Sequence, residues 1–282
     1  MITFGPGGNS ESFGRRKFPE ELPDYLKSFG LNGYEIECGR GVRIAEKTYE
    51  LLPALAAEHK INLTLHAPYF ISLSSENEET RLKSVPYLLE SARAAHRLGV
   101  RKIVVHSGSC AKMTREAALA LAKDTLTRAQ AALDEEGLTG IVLCPETMGK
   151  INQLGTLSEV LELCTADERF LPCIDFGHLN ARTLGGIKTR EDYAAILDEI
   201  EDKLGFERLK RMHVHFSKIQ YTAGGEKCHL TFADKEYGPE YEPLMELFVM
   251  RGLEPSVISE SAGTQAEDAA AMKRAYEGFL TQ

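Results

Sequence analysis

The stretch Leu171-Pro172-Cys173-Ile174-Asp175-Phe176-Gly177-His178 has the pattern of a short buried strand that runs directly into an acid and a histidine. An apolar run of this length suits a parallel strand that is covered on both faces. A buried strand has no packing use for a carboxylate at its end, so we expect Asp175 either to accept hydrogen bonds or to bind a cation. Asp175 and His178 together suit a divalent metal such as zinc. The alternative is a local pair in which Asp175 caps the following turn.

Similar short apolar runs alternate with helical patterns along the chain, which predicts βα units and a parallel sheet. Strands are predicted to begin at Ile2 and to cover residues 34–37, 62–66, 102–106, 141–144, 171–175, 211–215 and 256–260. Eight such units in 282 residues fit a closed barrel. We therefore expect an α/β fold, a single (β/α)8 TIM barrel, with residues 1–282 forming one domain. The alternative is a doubly wound open sheet, but the glycines at residues 5–8 lack the spacing of a dinucleotide-binding turn.

Composition limits the classes of function. The formal net charge is −9, and no long basic run supports bulk binding to nucleic acid. No apolar run reaches the length of a membrane span, and the six cysteines form no C-x-x-C pair. We expect a reduced, cytoplasmic, monomeric protein that does not act at a membrane.

Metal-binding residue types recur at the predicted carboxyl ends of successive strands, which meet at the rim of a barrel where active sites lie. They are His66, His106, Glu146, Asp175 with His178, His213 and Glu260, and the loop after the seventh strand adds Glu226 and His229. Several carboxylates on one rim would repel one another, and divalent cations would compensate that repulsion. Mixed imidazole and carboxylate ligands favour Zn2+, with Mn2+ or Fe2+ as alternatives. Because one ion needs only four to six ligands, nine groups predict two or three ions.

Several motifs in this order resemble the endonuclease IV family of abasic-site endonucleases, within the xylose-isomerase-like TIM barrels. The motifs that carry the resemblance are His66-Ala67-Pro68-Tyr69, Val104-Val105-His106-Ser107-Gly108, Pro145-Glu146-Thr147, Asp175-Phe176-Gly177-His178, Met212-His213 and Glu260. The resemblance covers nearly the whole chain and implies three zinc ions. By position, it assigns the first ion to His66, His106 and Glu146. It assigns the second to Glu146 as a bridge with Asp175, His213 and Glu260, and the third to His178, Glu226 and His229.

The sequence departs from the family pattern after the seventh strand, where the family carries Asp-x-His. Here Glu226 falls at the Asp position, and the histidine position is taken by Cys228 without a gap or by His229 with a one-residue shift. We expect His229 to be the ligand, although a cysteine is also a competent zinc ligand.

The resemblance also implies that two side chains enter the DNA at the lesion. Tyr69 matches the family's aromatic residue by position, and Arg40 or Arg43 matches its arginine by region only. The alternative is that Tyr69 half-covers the rim and that both arginines are solvated.

The resemblance predicts a metal-dependent phosphodiesterase that cleaves damaged double-stranded DNA 5′ to abasic sites, with Glu146 orienting the nucleophile. The alternative is a sugar isomerase or epimerase that uses a single metal ion held by Glu146, Asp175, His213 and Glu260. In that case a glutamate would act as the base on the carbon next to a carbonyl.

Overall fold

The computed structural model describes residues 1–281, in which eight parallel strands close into a barrel and two further strands form a hairpin. The strands are β1 (Thr3–Pro6), β2 (Gly33–Glu37), β3 (Asn62–His66), β4 (Lys102–Val105), β5 (Val142–Pro145), β6 (Cys173–Asp175), β7 (His213–Phe216), β8 (Ile219–Thr222), β9 (Gly225–His229) and β10 (Ser256–Ser259). The order β2-β3-β4-β5 forms one half of the barrel and β1-β10-β7-β6 the other. Parallel bridges from Gly7 to Glu35 and from Glu146 to Cys173 join the halves. The predicted TIM barrel is confirmed.

Helices lie outside the strands. They are α1 (Leu22–Ser28), α2 (Glu46–His59), α3 (Glu78–Leu82), α4 (Ser84–Arg97), α5 (Arg115–Glu135), α6 (Leu157–Cys164), α7 (Phe176–Arg182), α8 (Arg190–Leu204), α9 (Phe206–Lys210), α10 (Glu242–Met250) and α11 (Gln265–Leu280). Local sequence explains where several begin: Thr156 and Thr189 each form a capping box with an acid three residues later. None of the helices in residues 1–281 has the length and apolar character needed to cross a membrane.

Two glycines allow β1 and β2 to approach closely where the barrel closes. A Cβ atom on Gly5 would lie 2.0 Å from the carbonyl oxygen of Gly33, which no side chain tolerates. The backbone N–H of Gly8 donates to the carbonyl of Glu35 at 3.0 Å just beyond this contact. The close approach brings β2 alongside β1, with Glu35 in the middle of the strand and Glu37 at its carboxyl end.

The barrel interior is layered and unusually polar. At the amino end, the side chains of Asn62 and Lys102 both contact Ser256 Oγ, at 3.2 and 3.1 Å. The middle layer contains the buried pair Glu35 and His213 beside a small apolar cluster, which is formed by Val104, Cys144, Leu171 and Cys173. Since side chains on a strand alternate between the two faces, the next inward layer lies at the carboxyl end. That layer carries the histidines and carboxylates described below.

Strands β8 and β9 form an antiparallel hairpin in the segment that the sequence analysis treated as a loop. The hairpin docks against the loop that follows β5 through an antiparallel bridge between Lys150 and Gly225. Gly225 has a φ of 89°, a left-handed conformation that glycine adopts without strain. A Cβ atom there would also lie 2.3 Å from the carbonyl oxygen of Gly149. The two glycines therefore let the hairpin reach the barrel rim.

Candidate metal centre

A cleft of about 390 Å³ opens at the carboxyl end of the barrel, the end at which barrel enzymes carry their active sites. Its lining residues are His66, Tyr69, His106, Glu146, Met148, Lys150, Gln153, His178, Glu226, His229 and Glu260. Three groups of imidazole and carboxylate side chains lie in or directly beneath the cleft, and each places its ligand atoms within 4.8 Å of one another.

The first group consists of His66, His106 and Glu146. The Nε2 atoms of His66 and His106 lie 3.3 and 3.0 Å from Glu146 Oε2. His66 Nδ1 donates to the carbonyl oxygen of Ala67 at 2.8 Å, so Nε2 is the nitrogen that would bind a metal after losing its proton. The structure thus brings together the three residues that the resemblance assigned to one ion.

The second group consists of Glu146, Asp175, His215 and Glu260. His215 Nδ1 lies 3.0 Å from Glu146 Oε1 and 3.4 Å from Glu260 Oε1. Glu146 therefore directs one oxygen to the first group and the other to the second, which is the geometry of a bridging carboxylate. Its role as a bridge remains a proposal.

The assignment of His213 to this group requires correction, because the structure places His215 there instead. The predicted strand covered residues 211–215, whereas β7 spans His213–Phe216. His213 therefore begins the strand and pairs with Cys173, one inward layer below the rim. His215, two residues later on the same face, pairs with Asp175 and reaches the cleft group. The sequence His213-Val214-His215 places two histidines on the same face of the strand, and this pattern could have indicated that either one is a candidate ligand.

Asp175 caps the following turn, as one interpretation of the opening stretch predicts, and it also keeps one oxygen that could bind a cation. Its Oδ1 accepts from the backbone N–H of His178 at 2.7 Å and so caps α7. Its Oδ2 is buried and has no hydrogen-bond partner among the described residues. It lies 3.3 Å from His178 Nδ1, but that nitrogen donates to the carbonyl of Thr147, so Oδ2 lacks the hydrogen bond that a buried carboxylate needs. It fits a cation, because Asp175 belongs to the second group of candidate metal ligands.

The third group consists of His178, Glu226 and His229. His178 Nε2 lies 3.4 Å from Glu226 Oε2, while its Nδ1 donates to the carbonyl oxygen of Thr147 at 2.9 Å. His229 Nδ1 lies 2.8 Å from Ser217 Oγ. Both imidazoles are therefore oriented by a contact at Nδ1, so that Nε2 is the nitrogen left for a metal.

A bulge in the hairpin explains how residues three apart reach the same site. In a regular strand, Glu226 and Cys228 would share a face and His229 would point away. Here Glu226 pairs with Tyr221 and Cys228 with Gln220, so Lys227 is the additional residue and the side-chain alternation changes. Glu226 and His229 then face the cleft, and the exposed Cys228 directs its Sγ to Gln220 Oε1 at 3.5 Å.

The two side chains expected to enter DNA differ in position. Tyr69 is 52% exposed at the cleft and stacks on the His106 ring, with 5.3 Å between ring centroids and 14° between planes. Its hydroxyl donates to Glu37 Oε2 at 3.0 Å. Arg40 and Arg43 do not line the cleft. The structure therefore supports a rim position for Tyr69 and gives no such support for the arginines.

Electrostatic repulsion makes the second group a strong candidate for a cation. With ligand atoms within 4.8 Å of one another, each pair of charged carboxylates repels by about 3 kcal/mol at an effective dielectric constant near 20. Burial raises the pKa of Glu260 well above its usual range. Burial also opposes ionisation of Glu146, but the neighbouring imidazoles, led by His215, hold its pKa well below the usual range. Protons thus supply the charge compensation that a metal would supply on binding.

Two histidines also hold protons in positions where a metal ion would supply the positive charge. Burial opposes protonation of His66, yet its contacts with Glu146 and the charge of Glu37 raise its pKa to about 10. Burial likewise opposes protonation of His178, and the charge of Asp175 together with the contact to Glu146 outweighs it, giving a pKa of about 10. Both imidazoles must lose a proton before they can bind a metal.

Sequence comparison finds relatives that cover most of this chain. A profile of xylose isomerase-like TIM barrels matches residues 23–277. An uncharacterized protein of Methanocaldococcus jannaschii is 31% identical over 93% of this chain and 92% of its own length. A probable endonuclease 4 of Ureaplasma urealyticum is 27% identical over 68% of this chain and 65% of its own length.

Solved structures with the same fold include proteins with different names. A D-tagatose 3-epimerase-like protein matches with a TM-score of 0.72 and 20% identity, covering 99% of this chain and 97% of its own. Endonuclease IV from Thermus thermophilus matches with a TM-score of 0.66 and 23% identity, covering 92% of this chain and 93% of its own. At these identities the two structures support the fold and do not distinguish between activities.

We predict that Gly149→Ala disrupts the third group while leaving the other two intact. A Cβ atom at residue 149 would lie 2.6 Å from Glu226 Cβ and 2.9 Å from His178 Cδ2, so both ligands would have to move. The affinity of one ion should fall at least about tenfold, measured by elemental analysis after dialysis against a buffered metal. Gly140→Ala is the matched control, because nothing lies within 4 Å of the added atom. Unchanged metal content in Gly149→Ala would show that residue 149 does not limit the space available to Glu226 and His178.

We predict that His229→Ala removes one bound ion and that Cys228→Ser removes none. The bulge turns His229 into the cleft and Cys228 toward Gln220. Metal content per chain, measured on both purified variants, distinguishes the two candidate ligands. Loss of an ion from Cys228→Ser alone would reverse the assignment.

We predict that metal loading at pH 7 releases at least two protons. With pKa values of about 10, His66 and His178 are protonated in the metal-free protein at pH 7, and binding displaces both protons. Metal affinity should consequently rise as the pH is raised from 7 toward 10. Calorimetry in two buffers of different ionisation enthalpy counts the released protons, and His66→Ala should lower that count by one. A binding enthalpy that does not depend on the buffer would show that no proton leaves.

Proposed function

Because the chain belongs to the xylose isomerase-like TIM-barrel family, we propose that it is a metal-dependent phosphodiesterase that cleaves double-stranded DNA 5′ to abasic sites. The observation that carries the proposal is the third group of ligands, His178, Glu226 and His229, beside the first two. A one-metal sugar isomerase has no need of this group for its ion. The relative named probable endonuclease 4 supports the same activity.

Three divalent ions would be held by the three groups of side chains. His66, His106 and Glu146 would hold the first, Glu146, Asp175, His215 and Glu260 the second, and His178, Glu226 and His229 the third. When bound, such ions supply Lewis acidity toward phosphate oxygens and compensate the negative charge that develops during hydrolysis.

The charge of the loaded cleft favours an anionic substrate. The three groups contain the four carboxylates of Glu146, Asp175, Glu226 and Glu260. Three divalent ions exceed their combined charge by two, whereas a single ion together with the protonated His66 and His178 would only balance it. Lys150 is the one lysine or arginine that lines the cleft within the described part of the chain, and it adds a further positive charge. A phosphodiester therefore suits a three-ion centre, and a neutral sugar suits a one-ion centre.

Aromatic side chains at the rim suit a DNA duplex that contains a gap in its base stack. Tyr69 lines the cleft and Phe70 follows it in the chain after β3, and the two side chains are 52% and 51% exposed. Tyr69 is held by its contacts with His106 and Glu37, and Phe70 packs edge-on against Tyr87 with ring centroids 4.8 Å apart. Exposed rings held in this way can occupy the space of a missing base, and extrusion of an abasic nucleotide breaks no base pair.

Glu146 would position the two ions that share it. Its Oε2 faces His66 and His106, whereas its Oε1 faces His215 at 3.0 Å and His178 Nδ1 at 3.5 Å. No other side chain in residues 1–281 belongs to both of the first two groups. We therefore assign Glu146 the role of fixing the distance between the ions and orienting the attacking nucleophile.

The second candidate function is a sugar isomerase or epimerase. It is favoured by the second group alone, since Glu146, Asp175, His215 and Glu260 provide four ligands for one ion without any contribution from the hairpin. A glutamate of this group would then act as the base on the carbon next to a carbonyl. In this case His178 and His229 would contact sugar hydroxyls instead of a metal.

We predict that the purified protein binds three divalent ions and nicks a duplex that carries one abasic site, but not the same duplex without the lesion. Glu146→Gln should reduce the cleavage rate by about a thousandfold, because the charge shared by two ions is lost. Glu135→Gln changes an exposed residue of α5 and serves as the control.

Metal content and strand cleavage are measured on the same samples. Binding of a single ion, with no cleavage of the abasic duplex in the loaded protein, would contradict the phosphodiesterase. Interconversion of ketose epimers by that one-ion protein would then establish the second candidate. Full cleavage by Glu146→Gln would contradict the bridging role of Glu146 but would still support abasic DNA as the substrate.

A further inference from the structure

A carboxylate without an assigned role lies directly beneath the second group. Glu35 is on β2 and is fully buried inside the barrel. Its Oε1 lies 2.7 Å from Nε2 of His215. The other oxygen accepts from Thr64 Oγ1 at 2.7 Å and lies 3.0 Å from His213 Nε2. Thr64 and His213 thus hold Glu35 in place against His215.

The two nitrogens of His215 face different surroundings. Nε2 points into the barrel, where it meets Glu35 and, at 3.1 Å, His213 Nε2. Nδ1 points to the cleft, where it meets Glu146 and Glu260. A neutral imidazole carries its proton on one nitrogen and its lone pair on the other, and a partner at one nitrogen decides which. Buried carboxylates face both nitrogens, Glu35 at Nε2 and Glu146 at Nδ1. An ion bound at Nδ1 would take the lone pair on that side, and the proton would then remain on Nε2, where Glu35 stabilises it.

We propose that Glu35 is the positioning residue of the metal centre. It keeps the proton of His215 on Nε2 and fixes the plane of the ring, so that Nδ1 presents its lone pair to the ion of the second group. Glu35 acts through His215 and touches neither the ion nor the substrate in this role. The inference rests on a metal in the second group, which both candidate functions share, and does not depend on the substrate.

The effect should be confined to one ion. Most imidazoles of the other groups have orienting hydrogen bonds of their own, since His66 contacts the carbonyl of Ala67 and His178 the carbonyl of Thr147. The His106 ring is stacked on Tyr69. His229 contacts Ser217 Oγ. Loss of Glu35 should therefore weaken one class of metal site and leave the rest unchanged.

Two substitutions separate a positioning role from a packing role. Glu35→Gln keeps the shape and one acceptor oxygen but removes the charge. Glu35→Leu keeps the approximate size and removes every acceptor. If Glu35 positions His215, metal affinity falls in the order wild type, Gln, Leu. If Glu35 only fills space, Leu leaves metal affinity and the Co2+ spectrum unchanged, even where the loss of a partner for Thr64 and His213 lowers the stability of the fold.

The experiment titrates the metal-free protein with Co2+ in competition with a chelator and follows the visible absorption of the bound ion. We expect one class of site to lose about 10- to 100-fold in affinity in Glu35→Leu, with its absorption band altered. Glu35→Gln should show a smaller loss in the same class, and the other classes should stay within about twofold of wild type. Thermal unfolding of the metal-free variants reports folding separately.

Four outcomes decide the question. Wild-type Co2+ affinity and spectrum in Glu35→Leu would overturn the proposal, and so would an equal loss in every class of site. If the Glu35 variants do not fold, Thr64→Val removes the hydroxyl that holds the carboxylate while keeping the side-chain shape. Weakening of the same single class by Thr64→Val would then support the proposal, and unchanged affinity would contradict it. Failure of DNA cleavage in the parent protein would affect the phosphodiesterase proposal only, because Co2+ binding is measured without substrate.

Discussion

Glu146, Asp175 and Glu260 place oxygens within 4.8 Å of one another at the carboxyl end of the barrel. If all three were charged, their three mutual repulsions, at about 3 kcal/mol each, would approach the whole net stability of about 5–15 kcal/mol that a folded protein has. The surrounding structure compensates this repulsion in three ways. Imidazoles lie between the carboxylates, protons stay on groups that would ordinarily lose them, and one buried oxygen of Asp175 is left for a cation. Divalent ions bound to these groups would compensate the same negative charges.

The backbone decides which side chains take part. On β7, His213 and His215 both point into the barrel because side chains two residues apart share a face. His213 lies in the middle layer, however, and only His215 lies at the rim. On β9, one additional residue reverses the alternation and gives the cleft Glu226 with His229 in place of Glu226 with Cys228. At Gly149 the absence of a side chain leaves space for the ligands of the third group. Small features of the backbone therefore select the ligand set from a larger number of suitable residues.

The two candidate activities share a centre and differ in what surrounds it. The four ligands of the second group come from the barrel strands β6 and β7 and from the residues that directly follow β5 and β10, and they would serve either activity. The third group depends on the hairpin, which the barrel architecture does not require. Under the proposed function, the hairpin at the rim therefore determines which substrate the protein uses. This agrees with the general finding that barrel enzymes vary their chemistry through loops.

The order of short apolar runs and helical patterns was sufficient to predict the barrel, because periodicity and strand length are local properties. The residue types at the strand ends were sufficient to predict a rim rich in metal ligands. Three features needed the tertiary structure. The register of β7 against β6 decided between His213 and His215, and the bulge opposite Gln220 decided between Cys228 and His229. The contact of Glu35 with His215 joins residues 180 positions apart. Each of these depends on how separate strands pair or pack, and a pattern within one segment carries no information about the segment that it will meet.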